Sequence, residues 1–291
     1  MKKIRIKSFA KLNLGLRVLG KRWDGYHEIM SPMCRISLFD IIEIKQTINK
    51  KISIKCTGIH NYPYPEGLEN IVHKAVSGFL KTNHLQNVGL SIHVHKQIPI
   101  GAGLGGGSSN AAFVLMALNK IFNTKCKKKE LMDLGAKIGS DVPFFLYSKQ
   151  AIATGTGINL EKINLGKKYF LLLNPGYSIS TQYVYNHLNT ELTLHDNNDI
   201  NKVSIQNKNE LKYLLSSLRN DLEKPASIKF KELFIFKELL LKHGALQSAM
   251  SGSGTTVFGV FKTSEASEQA FKTIEKIAVK KNWLLIKAES K

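Results

Sequence analysis

Between positions 99 and 113 the chain reads PIGAGLGGGSSNAAF, a strand-like run joined to a helix-forming one through a segment made almost entirely of glycine and serine. Glycine reaches φ > 0 at little steric cost and lets backbone N–H groups close on a ligand. A helix opening near Ser108 adds donors that have no intrahelical acceptor, together with the positive end of its dipole. That combination is a cradle for an anion, and a nucleotide phosphate fits it. A Walker A loop would end in Gly-Lys-Ser/Thr, whereas this one ends at Gly107, Ser108, Ser109 and Asn110, which excludes that class. The dinucleotide pattern Gly101-x-Gly103-x-x-Gly106 is formally present, but the acidic ribose ligand expected about 20 residues later is missing. A flexible linker does not fit either, because residues 111–118, AAFVLMAL, form a strong helix with a broad apolar face.

Three further segments carry chemistry-bearing side chains. In AKLNL (10–14), strand alternation puts Lys11 and Asn13 on one side and the leucines on the other, a pattern that also fits a strand with one solvent-facing side. The turn DGYHE (24–28) follows with the aromatic Tyr26 and the imidazole of His27. In GSDVPFF (139–145), Asp141 sits between a helix-like stretch and an apolar run, where a carboxylate could equally cap or turn the chain. Residues 249–257, AMSGSGTTV, form a second small-residue loop entering a strand, for which a tight β-turn is the simplest account.

Composition narrows the class. The chain has 291 residues, 43% of them hydrophobic, enough for one large or two ordinary packed domains. Its start alternates basic and apolar residues, and no run of roughly 18 apolar residues occurs, so a cytoplasmic protein without a membrane partner is expected. Cys34, Cys56 and Cys126 are widely spaced, which suits reduced packing residues and not structural zinc. The net charge of +20 invites a nucleic-acid partner, but only five of the 42 basic residues are arginines and the run 125–129 has no interleaved aromatics. A solvated lysine-rich surface is the better reading, with a field that helps collect ATP and an anionic second substrate.

Periodicity predicts strands at 4–8, 12–19, 41–44, 52–55 and 90–96, helices at 69–82, after the glycine loop and at 128–138, then a strand and turn at 151–157. A second unit follows from Ile158: a strand at 169–173, helices at 181–188, 208–218 and 228–242, a polar connection at 195–201, and a closing strand, helix and strand at 254–261, 264–280 and 283–287. The expected architecture is α+β, with domains at 1–157 and 158–291 and the nucleotide between them.

The loop at 99–110 resembles the Pro-x-x-x-Gly-Leu-Gly-x-Ser-Ser-like loop of the GHMP kinases, the family named for galactose, homoserine, mevalonate and phosphomevalonate. Its triple glycine looks like the version in members acting on a cytidine-diphosphate-linked methylerythritol. Matching motifs occur in family order at 10–28, 99–113, 139–145 and 249–257, across almost the whole chain. The resemblance implies a ribosomal-protein-S5-like N-terminal domain and a ferredoxin-like C-terminal domain. It implies ATP-dependent phosphorylation of the 2-hydroxyl of 4-diphosphocytidyl-2-C-methyl-D-erythritol in the non-mevalonate route to isoprenoids. Asp141 would align the acceptor hydroxyl and take its proton, and Lys11, if close to both, would favour the ionised carboxylate and the developing alkoxide.

By the same resemblance the ATP cradle would comprise Pro99, Gly101, Gly103, Leu104, Gly105, Gly106, Gly107, Ser108, Ser109 and Asn110, with Lys96 and Asn70 also near the nucleotide. Magnesium would arrive coordinated by ATP and water, with no dedicated protein site. Tyr26 and His27 would recognise cytosine, Asn13 and Thr181 would contact the substrate, and Asn220 to Glu223 would be structural. Two departures stand out: Tyr185 falls where a stacking Phe is common, and Phe9 where Pro is common. The protein is expected as a monomer or weak homodimer with a small-molecule partner. Two rivals remain: a sibling kinase would lose the pyrimidine pocket, and a non-catalytic RNA-binding protein of S5-like fold would need neither Lys11 nor Asp141.

Overall fold

The computed structural model describes residues 2–58, 64, 67–188 and 215–291. The chain forms two compact units, the first comprising Met1–Ala10, Leu38–Ile100 and Gly105–Lys149. Here β4 (Ile52–Gly58) runs parallel to β5 (Gly89–Lys96), and α1 (Ile71–Thr82) lies between them in the chain. Parallel neighbours need such a crossover, since a tight turn cannot reverse the chain twice. In β5, Leu90, Ile92 and Val94 are buried, and the alternate residues Ser91, His93 and His95 are only partly so. The helix α1 buries Val72, Ala75, Val76, Phe79 and Leu80, the helical spacing of one apolar stripe, and packs chiefly against the helix that follows the glycine loop. The helix α2 (Gly106–Phe122) is buried along much of its length through Ala111, Ala112, Val114, Leu115 and Leu118, as its alanine-rich sequence requires. It is followed by α3 (Lys128–Ile138) and the short α4 (Val142–Tyr147).

The second unit comprises Lys11–Ser37, Gly101–Leu104 and Gln150–Lys291. Its four-stranded antiparallel sheet contains β8 (Tyr169–Asn174), β9 (Gln247–Met250), β10 (Val257–Phe261) and β11 (Leu284–Glu289) in the order β11-β8-β10-β9. With α5 (Thr181–Asn186), α6 (Glu223–Ala226) and α7 (Leu233–Lys242) before β9, and α8 (Ser264–Lys281) before β11, this is the split βαβ arrangement of a ferredoxin-like domain. Leu171, Leu173, Phe230, Phe236, Val257 and Ile274 are among its core residues. Beyond β11 the chain is stitched to residues 35–37: Ser290 bridges Ile36, Glu289 N donates to Ser37 Oγ at 3.0 Å, and Lys291 N donates to Arg35 O at 3.0 Å.

The compact units do not follow a single cut at 157/158. Residues 11–37, 101–104 and 150–157 count with the second unit because β6 (Gln150–Gly155) pairs with the start of β3 (His27–Thr47), Lys11 N donates to Leu104 O, and Thr256 N donates to Ala102 O.

Other elements also differ from the sequence reading. The strand expected at 41–44 is the end of the 21-residue β3. Residues Met30 to Cys34 are all buried, which removes the alternation that would have revealed the strand. The runs expected at 4–8 and 12–19 are β1 (Lys3–Asn13) and β2 (Arg17–Lys21). The helix expected at 228–242 starts only at Leu233, because Phe230 turns into the core and its N–H bonds Ala226 O at 2.8 Å. The strand expected from 254 begins at Val257, after Gly252 and Gly254 adopt φ of 57° and 90°. The short strands β7 (Asn159–Lys162) and β9 had no alternation long enough to read. Residues 195–201 and 208–214 lie outside the described residues.

Phe258 is fully buried on β10, edge-on to Phe170 at 6.0 Å between ring centroids. Phe258→Ala should lower unfolding free energy by about 3–5 kcal/mol, read from urea midpoints at constant slope.

Candidate active site

In the second unit, β1 ends in a buried polar corner. Lys11 is 3% exposed and Asn13 4%, so this is not a strand with one solvent-facing side. Lys11 Nζ donates to Asn13 Oδ1, and Asn13 Nδ2 donates to Ser31 Oγ at 2.8 Å. Ser31 in turn donates to Gly15 O at 2.6 Å. Both ends of the Asn13 amide are thus engaged within the protein, which orients the lysine. Ser251 joins this corner to the glycine loop: its Oγ accepts from Asn13 N at 3.1 Å and donates to Gly103 O at 2.9 Å. Asn220 holds the loop from behind through bonds of 2.8 Å from Nδ2 to Met250 O and to Gly252 O. Glu223 accepts from Met250 N at 2.8 Å. The Asn220 to Glu223 stretch therefore fixes the 249–257 loop.

Gly103 has φ of 74°, and a β-carbon there would overlap the Ser251 carbonyl oxygen. Both the backbone twist and the close approach demand glycine. Thr181 Oγ1 shares a hydrogen bond of 2.8 Å with Ser253 Oγ, at the surface.

The second unit also carries the aromatic cluster. The rings of His27 and Tyr185 stack, 4.9 Å apart and inclined by 30°. The preceding turn is clasped by Arg22, which bonds Asp24 and Glu28, while Tyr26 N donates to Asp24 Oδ1 at 3.1 Å. Tyr26 is left 63% exposed on this clasp. Partial burial, and secondarily the Lys21 charge, hold the His27 pKa below its ordinary value of 6.5, which favours the neutral imidazole.

In the first unit, Gly105 precedes α2 with φ of 65° and offers no side chain to cap it. The first turn, Gly106, Gly107 and Ser108, therefore presents backbone N–H groups with no side-chain cap from Gly105, the donor set that suits a phosphate. Gly106 lies so close to β5 that a β-carbon would meet Ile98 Cγ2 at 2.9 Å and Lys96 Nζ at 3.3 Å. Pro99 and Leu104 are buried, while Gly101 and Gly107 are exposed. Ser109 Oγ donates to Phe9 O at 2.6 Å. Lys96 and Asn110 are engaged internally, Lys96 Nζ with Asp40 Oδ2 and, at 3.0 Å, with Asn110 Oδ1. Asn70 caps α1, accepting from Val72 N at 2.8 Å, and donates to Cys56 Sγ at 3.5 Å. Asp141 precedes α4, half-buried, and its side chain does not cap that helix.

Within the second unit the fold thus gathers Lys11, Asn13 and Gly103 through Ser251, and His27 with Tyr185. Within the first it gathers Lys96, Ser109 and Asn110. Two contributors were not foreseen in the sequence, Ser31 and Asp40. A serine in a strand carries no signal, and Asp40 lies in none of the sequence motifs.

The family description "GHMP kinases N terminal domain" matches residues 70–149, and "GHMP kinases C terminal" matches 204–280. Relatives named 4-diphosphocytidyl-2-C-methyl-D-erythritol kinase include one from Syntrophus aciditrophicus (strain SB), 41% identical over 92% of this chain and 93% of its own. Another, from Citrifermentans bemidjiense, is 42% identical over 95% and 96%. Among solved structures, a 4-(cytidine 5'-diphospho)-2C-methyl-D-erythritol kinase superposes with a TM-score of 0.78 at 30% identity, covering 99% of this chain and 100% of its own. A homoserine kinase from Cytophaga hutchinsonii, 18% identical, shares the fold with a TM-score of 0.74 over 100% of this chain and 95% of its own. On loop geometry, domain topology and near full-length identity together, the chain belongs to the GHMP kinase family.

Proposed function

We propose that this protein transfers the γ-phosphoryl group of ATP to the 2-hydroxyl of 4-diphosphocytidyl-2-C-methyl-D-erythritol, giving the 2-phosphate and ADP in the methylerythritol phosphate pathway. The observation that carries this reading is identity above 40% with kinases of that name over more than 90% of both chains. In the reaction the bond from the γ-phosphorus to the ADP oxygen breaks, a bond to the acceptor oxygen forms, and the hydroxyl proton goes to a base. Catalysis of such a transfer is mostly positioning and charge stabilisation.

Asp141 is the base in this reading, supported by its place in the 139–145 motif at the start of α4. Lys11, oriented by Asn13, offsets the negative charge that grows on the acceptor oxygen. The backbone N–H groups from Gly103 to Ser109 receive the β- and γ-phosphates. Magnesium would supply charge neutralisation at those phosphates, with phosphate oxygens and water as its ligands. His27, neutral near pH 7, offers one ring donor and one acceptor to the cytosine edge, and Tyr26 and Tyr185 offer faces on which the base can stack.

Release of ADP from purified protein with Mg-ATP should occur with the cytidyl substrate and not with homoserine or mevalonate. Activity on either of those instead would keep the family and overturn the substrate. Asp141→Asn should lower kcat by roughly 10²–10⁴ with the KM for ATP little changed; a variant as fast as wild type would remove Asp141 from the chemistry. Gly103→Ala should weaken ATP binding and lower Tm, because the added methyl must displace the Ser251 carbonyl.

The depressed pKa of His27 also sets a pH dependence. Between its folded pKa and the unfolded value of 6.5, the unfolded chain binds more protons, so stability is lost as pH falls below 6.5. Urea midpoints of wild type and His27→Gln, compared from about pH 8 down to about pH 5, should show the wild type losing more; parallel curves would contradict it.

A further inference from the structure

We propose that Asp40 is a positioning residue for the nucleotide loop: its buried carboxylate locks the end of β5, the start of the loop and the first turn of α2 into one arrangement. The inference rests on reading that loop as the ATP site. Asp40 is 0% exposed, at a depth where a carboxylate must be matched by charge and donors. Its Oδ1 accepts from Gln97 N at 2.7 Å and Ile98 N at 2.9 Å, the two backbone groups that lead into Pro99. Its Oδ2 accepts from Asn110 Nδ2 at 2.9 Å and from Lys96 Nζ.

The network then continues to β1. Asn110 Nδ2 donates to Ser8 Oγ at 3.0 Å, and Ser8 and Ser109 share a hydrogen bond of 2.7 Å. One carboxylate thereby holds both flanks of the glycine loop, although it belongs to neither.

Electrostatics give the carboxylate a second task. The Lys96 ammonium lies against Gly106 at the start of α2, where the helix dipole is already positive. An unmatched cation there would be pushed out toward solvent, taking Asn110 with it. Asp40 keeps it in place, and two of the three Lys96 donors go to Asp40 and Asn110. The geometry of the cradle is thus set before a nucleotide arrives, which limits the ordering cost of binding.

The test compares wild type, Asp40→Asn and the exchange variant Asp40→Asn/Asn110→Asp, which returns a carboxylate to Lys96 from the opposite side. The readouts are Mg-ATP affinity by calorimetry, KM for each substrate, Tm, and hydrogen exchange of the amides at 103–109 without ligand. Asp40→Asn should weaken ATP binding and raise the KM for ATP by about tenfold or more, leave the acceptor KM within about twofold, and speed exchange at 103–109. The exchange variant should recover most of the slow exchange at 103–109 that Asp40→Asn loses. A folded Asp40→Asn protein with wild-type ATP affinity and wild-type exchange at 103–109, whatever its Tm, would overturn the proposal. Should that variant fail to fold, Asp40→Glu keeps the charge and moves the carboxylate; unchanged ATP affinity and loop exchange in it would overturn the proposal equally. Absence of Mg-ATP binding in wild type would instead refute the reading of the loop, and loop exchange alone would then decide the role of Asp40.

Discussion

An ammonium group removed from water must be given back a counter-charge or a full set of acceptors, or the effective penalty runs to several kcal/mol. Among the described residues of this strongly basic chain, two lysines are almost completely buried, Lys11 at 3% and Lys96 at 7% exposure. Much of the local architecture answers to them. Lys96 is met by Asp40, which in turn fixes backbone at Gln97 and Ile98. Lys11 is held by Asn13, whose other end is held by Ser31 and whose N–H is held by Ser251. With dozens of solvated lysines elsewhere on the chain, these two are set apart by their environment and not by their type.

Close backbone approach is the companion constraint. At Gly103 a β-carbon would collide with the Ser251 carbonyl oxygen, and at Gly106 it would press on the Ile98 side chain at 2.9 Å, so both positions favour glycine. The same absence of side chains leaves the start of α2 with backbone donors alone, which makes it suitable for phosphate. Packing and binding therefore call for the same residue type at the same positions.

The glycine loop was legible in the sequence because its requirement is local: residue type, spacing and the helix that follows are all within about fifteen positions. The helix at Lys128–Ile138 was equally legible, since its periodic pattern is bounded by polar residues and closed by Gly139. What escaped was set by distant contacts. The long β3 is hidden where both of its faces are buried, and the importance of Asp40 depends on donors more than fifty residues away in the chain. Likewise, alternation in β1 could not distinguish a wet face from a buried polar corner, because Ser31 and Ser251 supply that corner from elsewhere. A motif announces the residues that touch a ligand; the residues that hold the motif still carry no pattern of their own.

The stitching of residues 289–291 to residues 35–37 bears on solubility. An edge strand offers a row of unpaired N–H and C=O groups that another chain can extend, the usual beginning of sheet-to-sheet association. In the four-stranded sheet the two edges are β9, only four residues long, and β11, which carries Lys287 and Glu289 and then runs into its bonds with residues 35–37. One edge is too short to template a partner, and the other carries charges at Lys287 and Glu289 and is occupied at its end. The sheet that carries the tightly packed second core is thereby discouraged from growing by a strand from a neighbouring molecule.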